Sequence, residues 1–337
     1  MQLVHGGDWA GYRAEFGRDA LDFSANVSPL GLPEGVARAI TAALPTADRY
    51  PDPLCRELRA KLALHEGVSA EQILCGNGAA DLIFRLVWAK KPRRALVTAP
   101  TFAEYATALE SVGCTVERFF LREQEDFAVT DAFCAAIRPG VDMVFLCQPN
   151  NPTGQLTALP LVEQILHRCA ACGTLLVVDE CFLDFLPDHA LHTAKGLLGE
   201  GNLVILKAFT KLYGMAGVRL GYALSADESR LARMQAAGQP WAVSGLAQAA
   251  GISKSYVWEL ENRDVPHLSV KVLVDLAKAL GVTTQDLMGE PPPVQASPED
   301  LQFFRKYIRM DRADKDRLRT MVDLFDRPAA KRATRGR

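Results

Sequence analysis

The sequence predicts an α/β domain, built on a mostly parallel sheet with helices on both faces, followed by an all-α domain. Three observations lead there. Up to about residue 221, short apolar runs rich in β-branched residues alternate with stretches of helical periodicity. Beyond Gly221 the strand-like runs cease, and short helical segments follow one another, punctuated by Gly251, Gly281 and Gly289. The chemistry is also divided: all eight cysteines precede residue 182. From Gly251 onward 16 Lys and Arg face 13 Asp and Glu, so that part carries +3 and the preceding residues −5 of a total of −2.

In order along the chain, residues 54–66 carry Leu54, Leu58, Leu62 and His65 at helical spacing among charged neighbours. A short strand over 72–75 runs into Gly76-Asn77-Gly78, and residues 80–88 read as the next apolar helix. Further strands are predicted over 95–98, 143–147, 174–178 and 203–206, with helices over 102–112 and 159–172 between them. Strands alternating with helices imply parallel pairing with both faces covered. Helices follow over 229–237, 244–250, 253–262, 269–280 and 284–288. A stiff Pro-rich linker occupies 291–298, an amphipathic helix 299–326, and a basic tail without any acid 327–337.

At 337 residues, 49% hydrophobic and 23% charged, the composition excludes a collagenous, mainly disordered or disulfide-scaffold chain. No apolar run approaches the roughly 20 residues that cross a bilayer. The first 17 residues mix His5, Asp8, Arg13 and Glu15 without an apolar block, so no secretory signal is expected. The cysteines then read as reduced thiols of a cytoplasmic protein without a membrane partner. Cys169-Ala-Ala-Cys172 has no second pair to complete a metal site and reads as helix core, so no metal is assigned.

Three clusters fall at the ends of predicted strands, where open α/β sheets place ligands. Cys75-Gly-Asn-Gly-Ala-Ala-Asp81 opens a helix, and its small residues let backbone N–H groups approach a phosphate. Gln148-Pro-Asn-Asn-Pro-Thr-Gly154 and Val178-Asp-Glu-Cys-Phe182 form the second, with Asp179 ending a strand where a carboxylate can hold a cationic ring nitrogen. In the third, Ala208-Phe-Thr-Lys-Leu-Tyr-Gly214, Lys211 follows a strand in an apolar setting, with Arg219 further on.

Together, in this order, the clusters resemble the fold type I pyridoxal-phosphate enzymes of the aminotransferase family, over residues from about 5 to 248. Leu21-Asp-Phe-Ser-Ala-Asn-Val-Ser-Pro-Leu-Gly31, His5-Gly-Gly7, Tyr50-Pro-Asp-Pro53 and Asp179-Glu-Cys-Phe182 are most similar to the threonine-phosphate decarboxylase branch, which serves cobalamin synthesis and is related to histidinol-phosphate aminotransferase. The resemblance implies pyridoxal 5′-phosphate as cofactor, with Lys211 attaching its aldehyde and Asp179 keeping its ring nitrogen protonated. It implies that Asn151 bonds the ring oxygen and that Phe102 stacks on the ring, with Tyr105 close enough to compete. It assigns the cofactor phosphate to Gly78, Ala79, Thr210 and Arg219. Tyr50 would reach that phosphate from a second subunit, implying a homodimer. His5 and Asn26 would contact a small phosphorylated amino-acid substrate. Ala208 stands where the family has a hydroxyl. The pattern ends near residues 246–250, ahead of the family's small domain and its substrate-gripping arginines. Cofactor capture with impaired decarboxylation is therefore expected.

Residues 244–289 resemble the phage-repressor-like (Xre) helix-turn-helix family, carried by Ala247-Gln-Ala-Ala-Gly-Ile-Ser-Lys-Ser-Tyr-Val-Trp-Glu-Leu-Glu-Asn262 and Leu273-Val-Asp-Leu-Ala-Lys-Ala-Leu-Gly281. That resemblance implies double-stranded DNA as a partner. Lys254, Ser255 and Tyr256 would face the major groove and Arg263 a phosphate. The domains read as 1–246 for the pyridoxal-phosphate module and 247–290 for the helix-turn-helix, with 229–237 able to supply the latter's first helix. A regulator whose first module only senses or binds a ligand is the competing reading; aminotransferase activity of the histidinol-phosphate type is a third.

Overall fold

The computed structural model describes residues 6–252. His5, Lys254, Ser255, Tyr256 and Arg263 lie outside the described residues, as do the linker, the amphipathic helix and the basic tail.

Seven strands form one sheet in the order β1-β7-β6-β5-β4-β2-β3. They are β1 (Ile73–Gly76), β2 (Arg94–Ala99), β3 (Thr115–Phe120), β4 (Met143–Cys147), β5 (Leu175–Asp179), β6 (Leu203–Ala208) and β7 (Gly221–Leu224). Pairing is parallel from β3 through to β6, and β7 runs antiparallel to both β6 and β1. The mostly parallel sheet is as expected. Strands β3 and β7, absent from the sequence expectations, complete it.

Every residue of β4, β5 and β6 is buried, which is why these strands read as apolar runs up to Asp179 in β5 and Lys207 in β6. Alternate side chains feed two cores. Val97, Phe145, Val177, Val204 and Ala223 point to one face. There they meet α4 (Gly78–Lys90), α5 (Glu104–Glu110) and α8 (Glu228–Ala237) through Leu82, Leu86, Leu109, Leu231 and Met234. Leu96, Val144, Leu176, Val178 and Ile205 point to the other. That face is covered by α2 (Glu34–Ala43), α3 (Arg56–Glu66), α6 (Asp131–Ala136), α7 (Leu159–Cys172) and α9 (Gly245–Ile252).

Helix α7 shows how the sequence sets an element. Pro160 sits in its first turn, where no helical donor is lost, and Gly173 ends it at φ +69° in the left-handed region. Val162, Ile165, Leu166 and Cys169 recur at i, i+3, i+4 and i+7 and are all buried. Each such aliphatic side chain contributes about 1.5–3 kcal/mol, so Leu166→Ala would cost about 2–5 kcal/mol. Cys169 is therefore a core thiol, and Cys172 Sγ lies 3.8 Å from the carbonyl of Ile137.

Helix α8 corrects one expectation. Residues 229–237 do not serve a second domain here, because Leu231 and Met234 are buried against the sheet face covered by α4. The ionised cap at Asp227, which accepts from the Arg230 N–H at 3.0 Å, fixes where the helix begins. Helix α9 crosses residue 246 without a break; Ala247 and Ala250 are fully buried in the core with Leu58 and Leu220. Among the described residues no helix is long and apolar enough to cross a membrane.

Candidate active site

The register places Cys147 opposite Asp179, Asp179 opposite Leu206, and Ala208 opposite Gly221. The carboxyl ends of β4, β5 and β6 thus lie side by side: Asp179 ends β5, and the loops after β4 and β6 carry Asn151 and Lys211.

Asp179 closes β5 and is 4% exposed. Its Oδ2 accepts from the Tyr105 hydroxyl at 2.6 Å and its Oδ1 from the Cys181 N–H at 3.0 Å. Among the described residues no cation forms an ion pair with it. A buried carboxylate with two donors and no counter-charge is suited to a cationic nitrogen supplied from outside the chain. Tyr105 is fully buried and stacked on Phe145 at 4.7 Å between ring centroids. Its ring is committed to the core and its hydroxyl to Asp179, so it does not compete with Phe102 for a ligand. Phe102 is half-buried and meets Tyr105 edge-on at 5.5 Å.

Lys211 is half-buried, with Nζ 5.5 Å from the centre of the Phe182 ring. Burial first of all brings its amine below the ordinary lysine value; Arg219 adds to this, while Cys181 and Asp179 oppose it. A fraction of free amine at neutral pH is what a lysine nucleophile requires. Its carbonyl accepts from the Ser28 N–H at 2.9 Å, which seats the 24–31 segment against this loop. Asn26, on that segment, is exposed.

The Gly76–Ala79 turn opens α4 with no side-chain cap at Asn77, so its first N–H groups are left for a ligand at the positive end of the helix. Gly78 has φ +78°, and a Cβ there would come within 2.9 Å of Arg219 Nη2. Gly221 on β7 is equally constrained, since a Cβ would meet the Ala79 nitrogen at 2.8 Å. The guanidinium of Arg219 therefore lies over the backbone of the helix entrance, 3.5 Å from the Asn77 carbonyl. Thr210, next to Lys211 in sequence, is buried. A cationic side chain over a glycine-lined helix start fits a phosphate group.

Asn150 is spent on the scaffold: it donates to the Pro100 carbonyl at 3.0 Å and to Thr153 Oγ1 at 2.9 Å, and accepts from Thr101 Oγ1 at 2.9 Å. Its neighbour Asn151 is half-buried. Tyr50 is 82% exposed and meets Trp241 in a tilted ring contact, 4.6 Å between centroids. On the surface, Glu163 and His167 of α7 and the sequence-distant Glu200 bring ligand-type atoms within 4.8 Å of one another. Sequence reasoning missed Tyr105 as the partner of Asp179, and only a long-range contact reveals it.

Residues 18–254 match the family Aminotransferase class I and II, and residues 243–287 match the Helix-turn-helix family. The chain belongs to the class I and II aminotransferase family. It is 43% identical over 231 residues to threonine-phosphate decarboxylase of Salmonella typhimurium, covering 68% of this chain and 63% of that protein. It is 36% identical over 239 residues to histidinol-phosphate aminotransferase of Symbiobacterium thermophilum, covering 70% and 64%. The chain spans less than two thirds of the length of these curated relatives. The fold is also that of histidinol-phosphate aminotransferase from Sinorhizobium meliloti, solved in complex with pyridoxal-5′-phosphate: TM-score 0.67, 24% identity, 76% of this chain and 71% of that one. The cofactor of the family is pyridoxal 5′-phosphate, and the lysine, the buried carboxylate and the phosphate cradle described above fit it.

Proposed function

We propose that the chain binds pyridoxal 5′-phosphate and is a decarboxylase of the threonine-phosphate type, acting on a small phosphorylated amino acid. The observation that carries the reading is the pairing of a buried, cation-free Asp179 at the end of β5 with a desolvated Lys211 just beyond β6. The 43% identity to the Salmonella decarboxylase, against 36% to the Symbiobacterium aminotransferase, favours decarboxylation over transamination.

In this reading Lys211 would hold the cofactor through its aldehyde, and the Asp179 carboxylate would keep the ring nitrogen protonated. Tyr105 and the Cys181 N–H hold that carboxylate in place. Arg219, Thr210 and the Gly78 and Ala79 N–H groups take the cofactor phosphate, Asn151 the ring oxygen, and Phe102 the ring face. When bound, the cofactor supplies an electron sink for the pair left by breaking the Cα–carboxylate bond. Asn26 and His5 contact the substrate. Tyr50, exposed on this chain, reaches the site of a second copy, so the working unit is a homodimer. Eight free thiols accord with a reducing cytoplasm. The reading keeps residues 1–246 as the catalytic module, 247–290 as the helix-turn-helix, 291–298 as linker, 299–326 as a helix and 327–337 as a basic tail. The helix-turn-helix match supports a second role in binding double-stranded DNA through Lys254, Ser255, Tyr256 and Arg263.

Incubation with pyridoxal phosphate should give the visible absorption of lysine-bound cofactor, lost in Lys211→Ala. Protein that stays colourless overturns the reading. A decarboxylation assay on threonine phosphate then separates turnover from cofactor capture; weak turnover is expected, since binding contacts that position the substrate control which bond breaks.

A further inference from the structure

A second set of ionisable groups lies buried on the opposite side of β5 and β6, and the mechanism above makes no use of it. Lys207, in an otherwise apolar strand, has Nζ 3.3 Å from Glu66 Oε1, 3.9 Å from Glu180 Oε2 and 3.9 Å from Asp184 Oδ1. Glu66 also pairs with Lys195 Nζ at 3.1 Å and accepts from the Tyr222 hydroxyl. Glu180 accepts from the Ala194 N–H at 2.7 Å and the Thr193 hydroxyl at 2.8 Å. Glu66, Glu180 and Lys207 are 3%, 1% and 7% exposed.

Stability alone does not account for this cluster. Desolvation costs several kcal/mol per buried ion, and well-packed apolar side chains in place of such a group are commonly neutral or better. What the ions supply and apolar groups do not is direction: each bond fixes one segment relative to another. The cluster joins the end of α3, the end of β5, the 193–195 loop, β6 and β7.

Its place in the sheet ties it to the site. Asp179 and Glu180 are adjacent, and successive side chains on extended backbone point to opposite faces. Asp179 thus meets Tyr105 on one side while Glu180 meets Lys207 on the other. The Glu180 N–H donates to the Leu206 carbonyl at 2.8 Å, adding a backbone tie between the same two strands. Lys207 lies one helical-turn's worth of chain before Lys211, on the strand that delivers it.

We infer that Lys207, clamped between Glu66 and Glu180, is a positioning residue that sets the end of β5 bearing Asp179 against the strand that carries Lys211. The role rests on the cofactor reading proposed above. Lys207 touches neither Asp179 nor Lys211; it acts through the two backbones, and displacement of a reacting group by about 1 Å is enough to cost on the order of a hundredfold.

The test uses the full chain. Lys207→Met and Lys207→Arg are compared with wild type by circular dichroism for folding, by titration with pyridoxal phosphate for affinity, and by the pH midpoint of the visible band of lysine-bound cofactor. A folded Lys207→Met protein should bind the cofactor about tenfold more weakly and shift the midpoint, with Lys207→Arg recovering both. If Lys207→Met does not fold, Glu180→Gln, which keeps volume and an acceptor for Thr193, should move both readouts in the same sense. A folded variant with wild-type affinity and midpoint overturns the role while the cofactor reading stands. A wild-type chain that remains colourless overturns the reading and this role with it.

Discussion

Tyr105 donates its hydroxyl to Oδ2 of Asp179 at 2.6 Å from within the core, with its ring stacked on Phe145. Burial and the negative neighbour both push the phenol well above its usual pKa, so it remains a donor across the working pH range. Tyr105→Phe removes one of the two donors to a buried carboxylate. A loss of about 1–3 kcal/mol in urea unfolding is expected, with the fold kept. An unchanged midpoint would mean that Asp179 does not depend on this bond.

The lowered amine of Lys211 sets a pH dependence. Its neutral form is populated at lower pH than that of exposed lysines, because burial penalises the ammonium. Amine-directed labelling of the cofactor-free protein should therefore modify Lys211 at a lower pH than is usual for a lysine, read by peptide mass spectrometry. Cofactor added beforehand should protect it.

Two buried glutamates give opposite slopes to stability. Burial would raise Glu66, but Lys207, Tyr222 and Lys195 outweigh it and hold it at about 2, below its ordinary 4.5. Its contribution is present above pH 4.5 and is lost as pH falls towards 2. Burial dominates at Glu180 and pushes it up to about 7, despite Lys207 and the bonds from Ala194 and Thr193. The folded protein then holds a proton that the unfolded chain releases between pH 4.5 and 7, so this group makes stability fall as pH rises through that window. The slope for one such proton is at most about 1.4 kcal/mol per pH unit. Urea midpoints of Glu180→Gln should lose that decline; a curve parallel to wild type would contradict it.

Asp81 serves two masters: Oδ2 accepts from the Asn77 N–H and Oδ1 from Arg85 Nε, each at 2.9 Å. The Arg85 side chain is only 2% exposed, and its Nη2 has no partner among the described residues. Asp81→Ala strands a buried guanidinium and frees the turn before Gly78. A destabilisation of about 3–5 kcal/mol is expected by thermal or chemical unfolding, together with weaker retention of cofactor. A change within the range of an exposed pair would show the ion pair to be incidental.

For the second module, retention on double-stranded DNA should weaken steeply with salt. Removing one phosphate contact, as in Arg263→Ala, should lower the log–log salt slope by about 0.9. Lys254→Ala should reduce binding as well. Absence of any binding at low salt rejects the DNA role.

Much of this was legible because parallel strands buried on both faces leave uninterrupted apolar runs, and α7 announced both its ends. Strand β3 was not, since it lies at the sheet edge and none of its residues is fully buried. Strand β7 is four residues long and begins with the glycine that packs on Ala79, so it read as loop. Helix α1 (Trp9–Phe16) buries nothing and offered no periodicity. The residues Lys211, Asp179 and Gly78 were legible from local motifs. Tyr105 and the Glu66–Lys207–Glu180 cluster were not, because their meaning lies in partners far along the chain. A single lysine inside Leu203–Ala208 was the one local sign.

Helix α9 has a practical consequence for anyone who would take the chain apart. Ala247 and Ala250 have no surface left to offer, and a Cβ on Gly251 would strike Leu58 and Leu220 at 2.8 Å. The helix-turn-helix match begins at residue 243, inside the piece already consumed. A cut made at that residue would strip a plug from the sheet's helical cover and leave Leu58 and Leu220 facing water.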